Sequence, residues 1–148
     1  MERYCRETIP LRRDARDAIG RVADAGLAQG LVTSGDRGRV ERELAAHGIA
    51  EHFGAVVCGS DPVEKKPHPQ ALLTALERLG IPPGRAAYVG DSPEDVEMAR
   101  RAGVWSVGIP GGFPNRPALA RARPDLMAER LADAIEALIR AARTGTSR

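Results

Sequence analysis

The stretch VGDSPEDVEMARRAG, residues 89–103, changes its pattern partway along. Ala86-Ala87-Tyr88-Val89 runs apolar into it and reads as a short buried strand. Ser92 then suits a helix N-cap, Pro93 the first helical position, and Glu94 and Asp95 the positive end of a helix that runs to Ala102-Gly103. A buried strand that turns within three residues into a helix is the unit of a parallel sheet. Working outward, the unit repeats. Upstream come a helix carrying Leu72, Leu73, Leu76 and Leu79, a strand at Ala55-Val56-Val57-Cys58, and a helix with Val40, Leu44 and His47 closed by Gly48. Before these lie a strand at Gly30-Leu31-Val32-Thr33 and a first helix from Leu11 to Leu27, introduced by Pro10. Downstream, Val104 to Gly108 reads as a fourth strand, Pro110 to Pro117 as a Gly/Pro-rich loop, and Leu131, Ile135, Leu138 and Ile139 as one face of a last helix. Strict alternation predicts an α/β protein with a parallel sheet covered on both faces.

Composition narrows the classes. A chain of 148 residues suggests one domain, able to bury ~70% of its unfolded surface. Aromatics are 3%, so the core must be aliphatic, and charged residues at 28% argue against wholesale disorder. No apolar run approaches the ~20 residues of a membrane span, and the N-terminus lacks a signal-peptide core. Cys5 and Cys58 are too few and scattered for a disulfide framework or a zinc site. These features predict a cytoplasmic protein with neither nucleic acid nor membrane as partner. A net charge of +2 with arginines interleaved among 20 acids makes no basic stripe. One detail stands apart: of the 22 basic residues all are arginine except the neighbours Lys65 and Lys66.

In parallel sheets, ligands gather at the carboxyl ends of strands. Three constellations lie there. Asp91 is the first polar residue after a strand, and Asp95 follows one helical turn later; two acids on one rim, with no counter-charge between them, suit a hard cation such as Mg²⁺. For Asp95, complementing the helix dipole is an equal alternative. Thr33-Ser34-Gly35 offers a hydroxyl and turn N–H groups to an anion, although hydroxyls at strand ends usually bond to nearby backbone. Lys66 lies in Lys65-Lys66-Pro67-His68-Pro69, where prolines stiffen the backbone; its compact ammonium suits a phosphoryl group better than a flat guanidinium would. Against this stands the ordinary reading of a lysine as a solvated charge. His68 reads as scaffold or rim, and His47 and His52 lack partners at metal spacing.

Together these segments resemble the haloacid dehalogenase-like superfamily, in its branch of phosphoglycolate phosphatases and β-phosphoglucomutases. LVTSG at 31–35, KKPHPQ at 65–70 and VGDSPEDVEMARRAG at 89–103 are similar to that family's second, third and fourth motifs. The resemblance implies a Rossmann-like three-layer α/β/α sandwich. It implies Thr33 and Lys66 as catalytic groups, Thr33, Ser34, Gly35 and Lys66 as the phosphate cradle, and Asp91 and Asp95 as the metal site. It further implies Mg²⁺ as cofactor, a small phosphorylated metabolite as substrate, and hydrolysis of the monoester through an aspartyl-phosphate.

One element of the family's pattern is missing. The nucleophile and general acid belong to a first motif of type D-x-D on the central strand, and no D-x-D occurs in these 148 residues. The cap domain that the branch inserts after that motif is also missing. The resemblance therefore implies an incomplete core: residues 1–10 as a linker remnant, 11–143 as a partial core domain, and 144–148 as a disordered tail. A sheet of this kind lacks the strand between those ending at Thr33 and Val89. Those two strands then pair directly, or a further chain supplies the missing one, or the fold is marginally stable. Without the nucleophile, the chain alone is expected to be inactive. The alternative is a truncated, non-catalytic module that binds Mg²⁺, phosphate or a partner chain.

Overall fold

The strands are short and run in one direction. In the computed structural model, residues 13–111 and 115–145 are described, Arg13 by its backbone alone. The expected linker at 1–10, residues 112–114 of the Gly/Pro loop and 146–148 of the expected tail lie outside the described residues. In chain order the elements are α1 (Arg13–Asp24), β1 (Gly30–Val32), α2 (Arg37–Ala46), β2 (Ala55–Val57), α3 (Gln70–Leu79), β3 (Ala87–Gly90), α4 (Pro93–Ala102), β4 (Trp105–Gly108), α5 (Arg116–Arg121), β5 (Leu126–Met127) and α6 (Leu131–Arg143). The predicted α/β alternation holds throughout.

Side chains alternate faces along each strand, and the helices sort accordingly. Val32, Val57 and Tyr88 pack on one face against Leu72 and Leu76 of α3 and Met98 and Ala99 of α4. Leu31 packs on the other face with Ile19 of α1 and Val40 and Leu44 of α2. Val107 and Ile109 pack there with Ala15 and Ala18 of α1 and Leu131 and Ile135 of α6. The result is three layers, helix on sheet on helix. Left-handed glycines end α3 at Gly80 and α4 at Gly103, where φ is 70° and 75°.

Two elements escape the sequence pattern. Helix α5 forms inside the region read as the end of a loop and the residues after it, and buries Leu119 completely against Gly108. Strand β5 is two residues long, too short for a period to show. It is set by pairing with β4, Val107 opposite Leu126 and Gly108 opposite Met127. Asp125 fixes that register: its carboxylate accepts from Ser106 N at 2.8 Å, and its own N–H donates to Ser106 Oγ at 2.9 Å.

The parallel sheet is split. β1 pairs with β2, and β3 with β4 and β5, but β1 and β3 do not pair. Of the outcomes expected for the missing strand, direct pairing is excluded. Between the two half-sheets lies an apolar cavity of about 490 Å³, lined by Leu31, Val32, Leu76, Tyr88, Val89 and Ile135 among others. At ~24 cal/mol per Å³, a sealed and empty space of that size would cost on the order of 10 kcal/mol, as much as a whole domain's stability.

Candidate active site

The three turns at the carboxyl ends of β1, β2 and β3 are built by close backbone approach. A Cβ on Gly59 would overlap the Ser34 carbonyl, and one on Gly90 would overlap the Asp95 carboxylate, so glycine is needed at both places. Gly59 N donates to Gly35 O at 2.9 Å, which ties the first turn to the second. Thr33 is buried, and its Oγ1 accepts from Gly35 N at 3.1 Å, the local bond that the sequence left as an alternative. Ser34 stands exposed at the tip of the same turn, and Gly35 is buried.

Lys66 comes from the segment between β2 and α3. Its Nζ donates to Asp95 Oδ1 at 2.9 Å and to Tyr88 Oη at 3.1 Å. Tyr88 Oη in turn donates to the Val32 carbonyl at 3.0 Å. The lysine side chain is 6% exposed and that of Asp95 1%. Desolvating an ammonium this far is costly, and the paired carboxylate and the hydroxyl help to offset it. The solvated-charge reading of Lys66 is thereby overturned: its ammonium is held in place beside the β1 turn.

The same contacts revise Asp95. The expectation of two acids on a shared rim with no counter-charge does not hold, because Lys66 occupies one Asp95 oxygen. The other, Oδ2, accepts from Asp91 N at 3.1 Å and Ser92 N at 3.2 Å, while Ser92 Oγ accepts from Asp95 N at 3.2 Å. Asp95 thus completes a capping box and points inward, with both oxygens engaged. Asp91 stays half-buried at the strand end. Beside it Asn115 donates through Nδ2 to the Asp91 carbonyl, and Asn115 Oδ1 is buried with no hydrogen-bond partner among the described residues. Hard oxygen donors at this rim are therefore Asp91 and the open Asn115 oxygen. No group of three or more His, Cys, Asp or Glu that could hold a metal ion occurs among the described residues.

The sequence reading missed three contributors. Tyr88 falls within an apolar strand run, and nothing in its spacing announces a hydroxyl aimed at Lys66. Asn115 sits in a loop with no pattern. The third is a clamp: Arg37 Nε and Nη2 bind the Asp61 carboxylate at 2.8 and 2.6 Å, and Nη2 also reaches Val56 O at 2.7 Å. Asp61 accepts from Cys58 N at 2.9 Å as well, so the β2 turn is fixed to the start of α2. The hydrogen bonds from Arg37 hold the Asp61 carboxyl below its ordinary range, and the bond to Asp61 raises the guanidinium in return. Burial pushes the nearby Cys58 thiol up. His68 is scaffold: its Nδ1 accepts from Gln70 N at 3.1 Å at the start of α3.

Comparison with known proteins identifies the family of the fold. The family described as haloacid dehalogenase-like hydrolase matches residues 1–109. Phosphoglycolate phosphatase of Escherichia coli K12 is 38% identical over 122 residues, 82% of this chain and 48% of that protein. The chain thus spans about half the length of the curated relatives it matches. Among solved structures, a predicted phosphoglycolate phosphatase from Haemophilus somnus 129PT superposes with a TM-score of 0.80 at 27% identity, covering 91% of this chain and 60% of its own. A HAD family hydrolase from Deinococcus radiodurans R1, solved with bound phosphate and sodium, superposes at 0.76 with 25% identity, covering 88% of this chain and 60% of its own. The fold, the order of the three motifs and these matches agree, and the chain belongs to the haloacid dehalogenase-like hydrolase family.

Proposed function

We propose that this chain carries the phosphate-holding part of a phosphatase site for small phosphorylated metabolites. The observation that supports it best is the buried ammonium of Lys66, fixed by Asp95 and Tyr88 beside the Thr33-Ser34-Gly35 turn. A cation oriented before any ligand arrives can neutralise the charge of a transferring phosphoryl group, with little reorganisation during reaction. The Ser34 amide and the proton of the Thr33 hydroxyl are the partners for phosphoryl oxygens, Gly35 shapes the turn through its N–H bond to Thr33 Oγ1, and Lys66 is the counter-ion.

The donor set also fits Mg²⁺. Asp91 provides a hard carboxylate, Asn115 Oδ1 is a buried acceptor without a hydrogen-bond partner among the described residues, and Mg²⁺ is held elsewhere by one or two carboxylates plus water and phosphate. Asp91 would hold the ion; Asp95, with both oxygens engaged, would orient Lys66 and the Asp91 turn. When bound, the ion supplies charge neutralisation for phosphoryl oxygens.

The same reading makes the isolated chain inactive. Hydrolysis through an aspartyl-phosphate needs a nucleophilic carboxylate, and no D-x-D is present to provide one. With Mg²⁺, the purified chain is expected to bind inorganic phosphate, to lose that binding in Lys66→Met, and to show no turnover of p-nitrophenyl phosphate or 2-phosphoglycolate. Turnover that survives purification and vanishes in Asp91→Asn would overturn the claim of inactivity. Equal phosphate binding by wild type and Lys66→Met would overturn the role of the lysine.

A further inference from the structure

Asn115 stands immediately before α5, where an asparagine ordinarily turns its side-chain oxygen back onto the first helical N–H groups. Here it makes no such bond. The side chain crosses instead to the turn after β3, where Nδ2 donates to the Asp91 carbonyl. A carbonyl can only accept, so this bond decides which end of the amide is nitrogen and turns the oxygen away from Asp91 O. That oxygen, Oδ1, is buried with no hydrogen-bond partner among the described residues. Two other buried side-chain atoms share this condition, Arg39 Nη2 and Glu43 Oε2, but their residues already pair with each other on α2. Asn115 Oδ1 is the one beside the candidate site.

The segment that Asn115 introduces is held at two further points. Leu119 is fully buried against Gly108, and Gly108 is the β4 residue opposite Gly90 at the end of β3. At the far end, Arg100 of α4 donates through Nη2 to the carbonyls of Ala122 and Arg123 at 2.6 and 3.3 Å. Helix α4 starts from the Ser92–Asp95 capping box and carries Arg100 in its last turn. Both ends of α5 are therefore tied to one strand-to-helix unit, the start through Asn115 and the end through Arg100.

Chemistry restricts what can complete the amide. Its oxygen accepts, so the partner is a donor or a cation, and phosphoryl oxygens are unsuited to it. Asn115 is tethered to the backbone of Asp91, the residue that offers a carboxylate to a cation. Mg²⁺ keeps several of its waters when it binds, and each of them is a donor. We propose that Asn115 is a positioning residue that couples a divalent cation at Asp91 to the docking of α5. Nδ2 keeps the Asp91 carbonyl while Oδ1 accepts from the hydration shell of the ion, so the amide is fixed at both ends and the start of α5 with it. This inference rests on the reading of Asp91 as the cation's ligand and adds to it a mechanical link to a helix.

The test uses the whole chain, with Mg²⁺ alone as the probe. Titration calorimetry gives the affinity, and NMR follows the Asn115 side-chain amide. Hydrogen exchange is read at Leu119 and Ala122, whose N–H groups bond Asn115 O and Ala118 O. Expected with Mg²⁺ are a shifted Asn115 side-chain resonance and slower exchange at both amides. Asn115→Ala should weaken binding roughly tenfold, as loss of an outer-shell partner does, and abolish the slowing. Arg100→Met loosens the far end of α5 without touching the β3 turn, and by reciprocity should weaken the ion about fivefold. Asn115→Asp keeps the shape, loses the bond to the Asp91 carbonyl and brings a second carboxylate, so it should bind Mg²⁺ more tightly than wild type. A merely structural amide gives the opposite sign, and weaker binding by Asn115→Asp would overturn the proposal. Binding that Asp91→Asn abolishes, with exchange at Leu119 and Ala122 unchanged by the ion, would overturn the coupling alone. Affinity unaltered in Asn115→Ala or Arg100→Met would do the same. No binding by the wild-type chain would overturn the cation reading of Asp91 and the coupling together.

Discussion

Replacing Asp95 with asparagine changes the shape of the site very little and its electrostatics completely. The carboxylate is 1% exposed and pairs with an ammonium that is 6% exposed, so the variant leaves Lys66 charged, desolvated and without its counter-ion. Removing one member of a buried pair costs about 3–5 kcal/mol, against a total stability of about 5–15 kcal/mol for a domain. Asparagine can still accept one hydrogen bond from Asp91 N or Ser92 N, so the cap is weakened rather than lost. Lys66→Met should be milder, at about 1–3 kcal/mol, because the stranded Asp95 keeps two backbone donors in the capping box. The double variant Lys66→Met/Asp95→Asn should then cost at least ~1 kcal/mol less than the sum of the singles, since neither charge is left behind. Urea unfolding followed by far-ultraviolet circular dichroism measures all four states. If Asp95→Asn proves no worse than Lys66→Met, or if the two effects simply add, the buried pair does not organise this site.

Other perturbations test separate parts of the structure. Gly90→Ala drives a methyl into the Asp95 carboxylate and should cost about 1–3 kcal/mol, seen as a lowered Tm. Leu119→Ala empties a fully buried site under the short helix α5 and should cost about 2–5 kcal/mol in the same assay; a smaller loss would mean that α5 is not packed as described. The Arg37–Asp61 clamp should make stability depend on pH. Asp61 has its folded pKa held below the ordinary 3.8, so its contribution is complete above about pH 4 and lost as pH falls through the lower, folded value. Asp61→Asn should flatten that acid limb of the stability profile and leave its shape near neutrality unchanged.

Periodicity in this chain revealed the elements whose burial follows a regular spacing. β1, β2, β3 and β4 announce themselves as apolar runs cut off by Ser34-Gly35, Gly59-Ser60, Gly90-Asp91 and Gly108, and α4 by the Ser92-Pro93 start. β5 and α5 carry no such period: one exists through its ladder to β4, the other through one buried leucine against Gly108. The candidate site is half legible. Thr33, Lys66 and Asp91 could be found because strand ends and an unusual lysine mark them. The inward turn of Asp95 could not, since an i, i+4 pair of acids looks the same whether one of them meets a lysine from another loop or faces water. Tyr88, Asn115 and the Arg37–Asp61 clamp depend on contacts across 19 to 56 residues, a separation that local spacing does not encode.

The lysine pair has a chemical consequence of its own. With arginine at every other basic position, the chain's side-chain amines number two: Lys65, exposed, and its neighbour Lys66, sealed against a carboxylate and a phenol. Acylating reagents discriminate between such amines by access and by whether the nitrogen lone pair is free. Lys65 therefore reacts as an ordinary surface group, while Lys66, with its ammonium held by Asp95 and Tyr88, reacts far more slowly until the core opens. Adjacent in the chain and opposite in reactivity, they form a built-in ratio, in which mass spectrometry of one short peptide reports the integrity of the core without any engineered label.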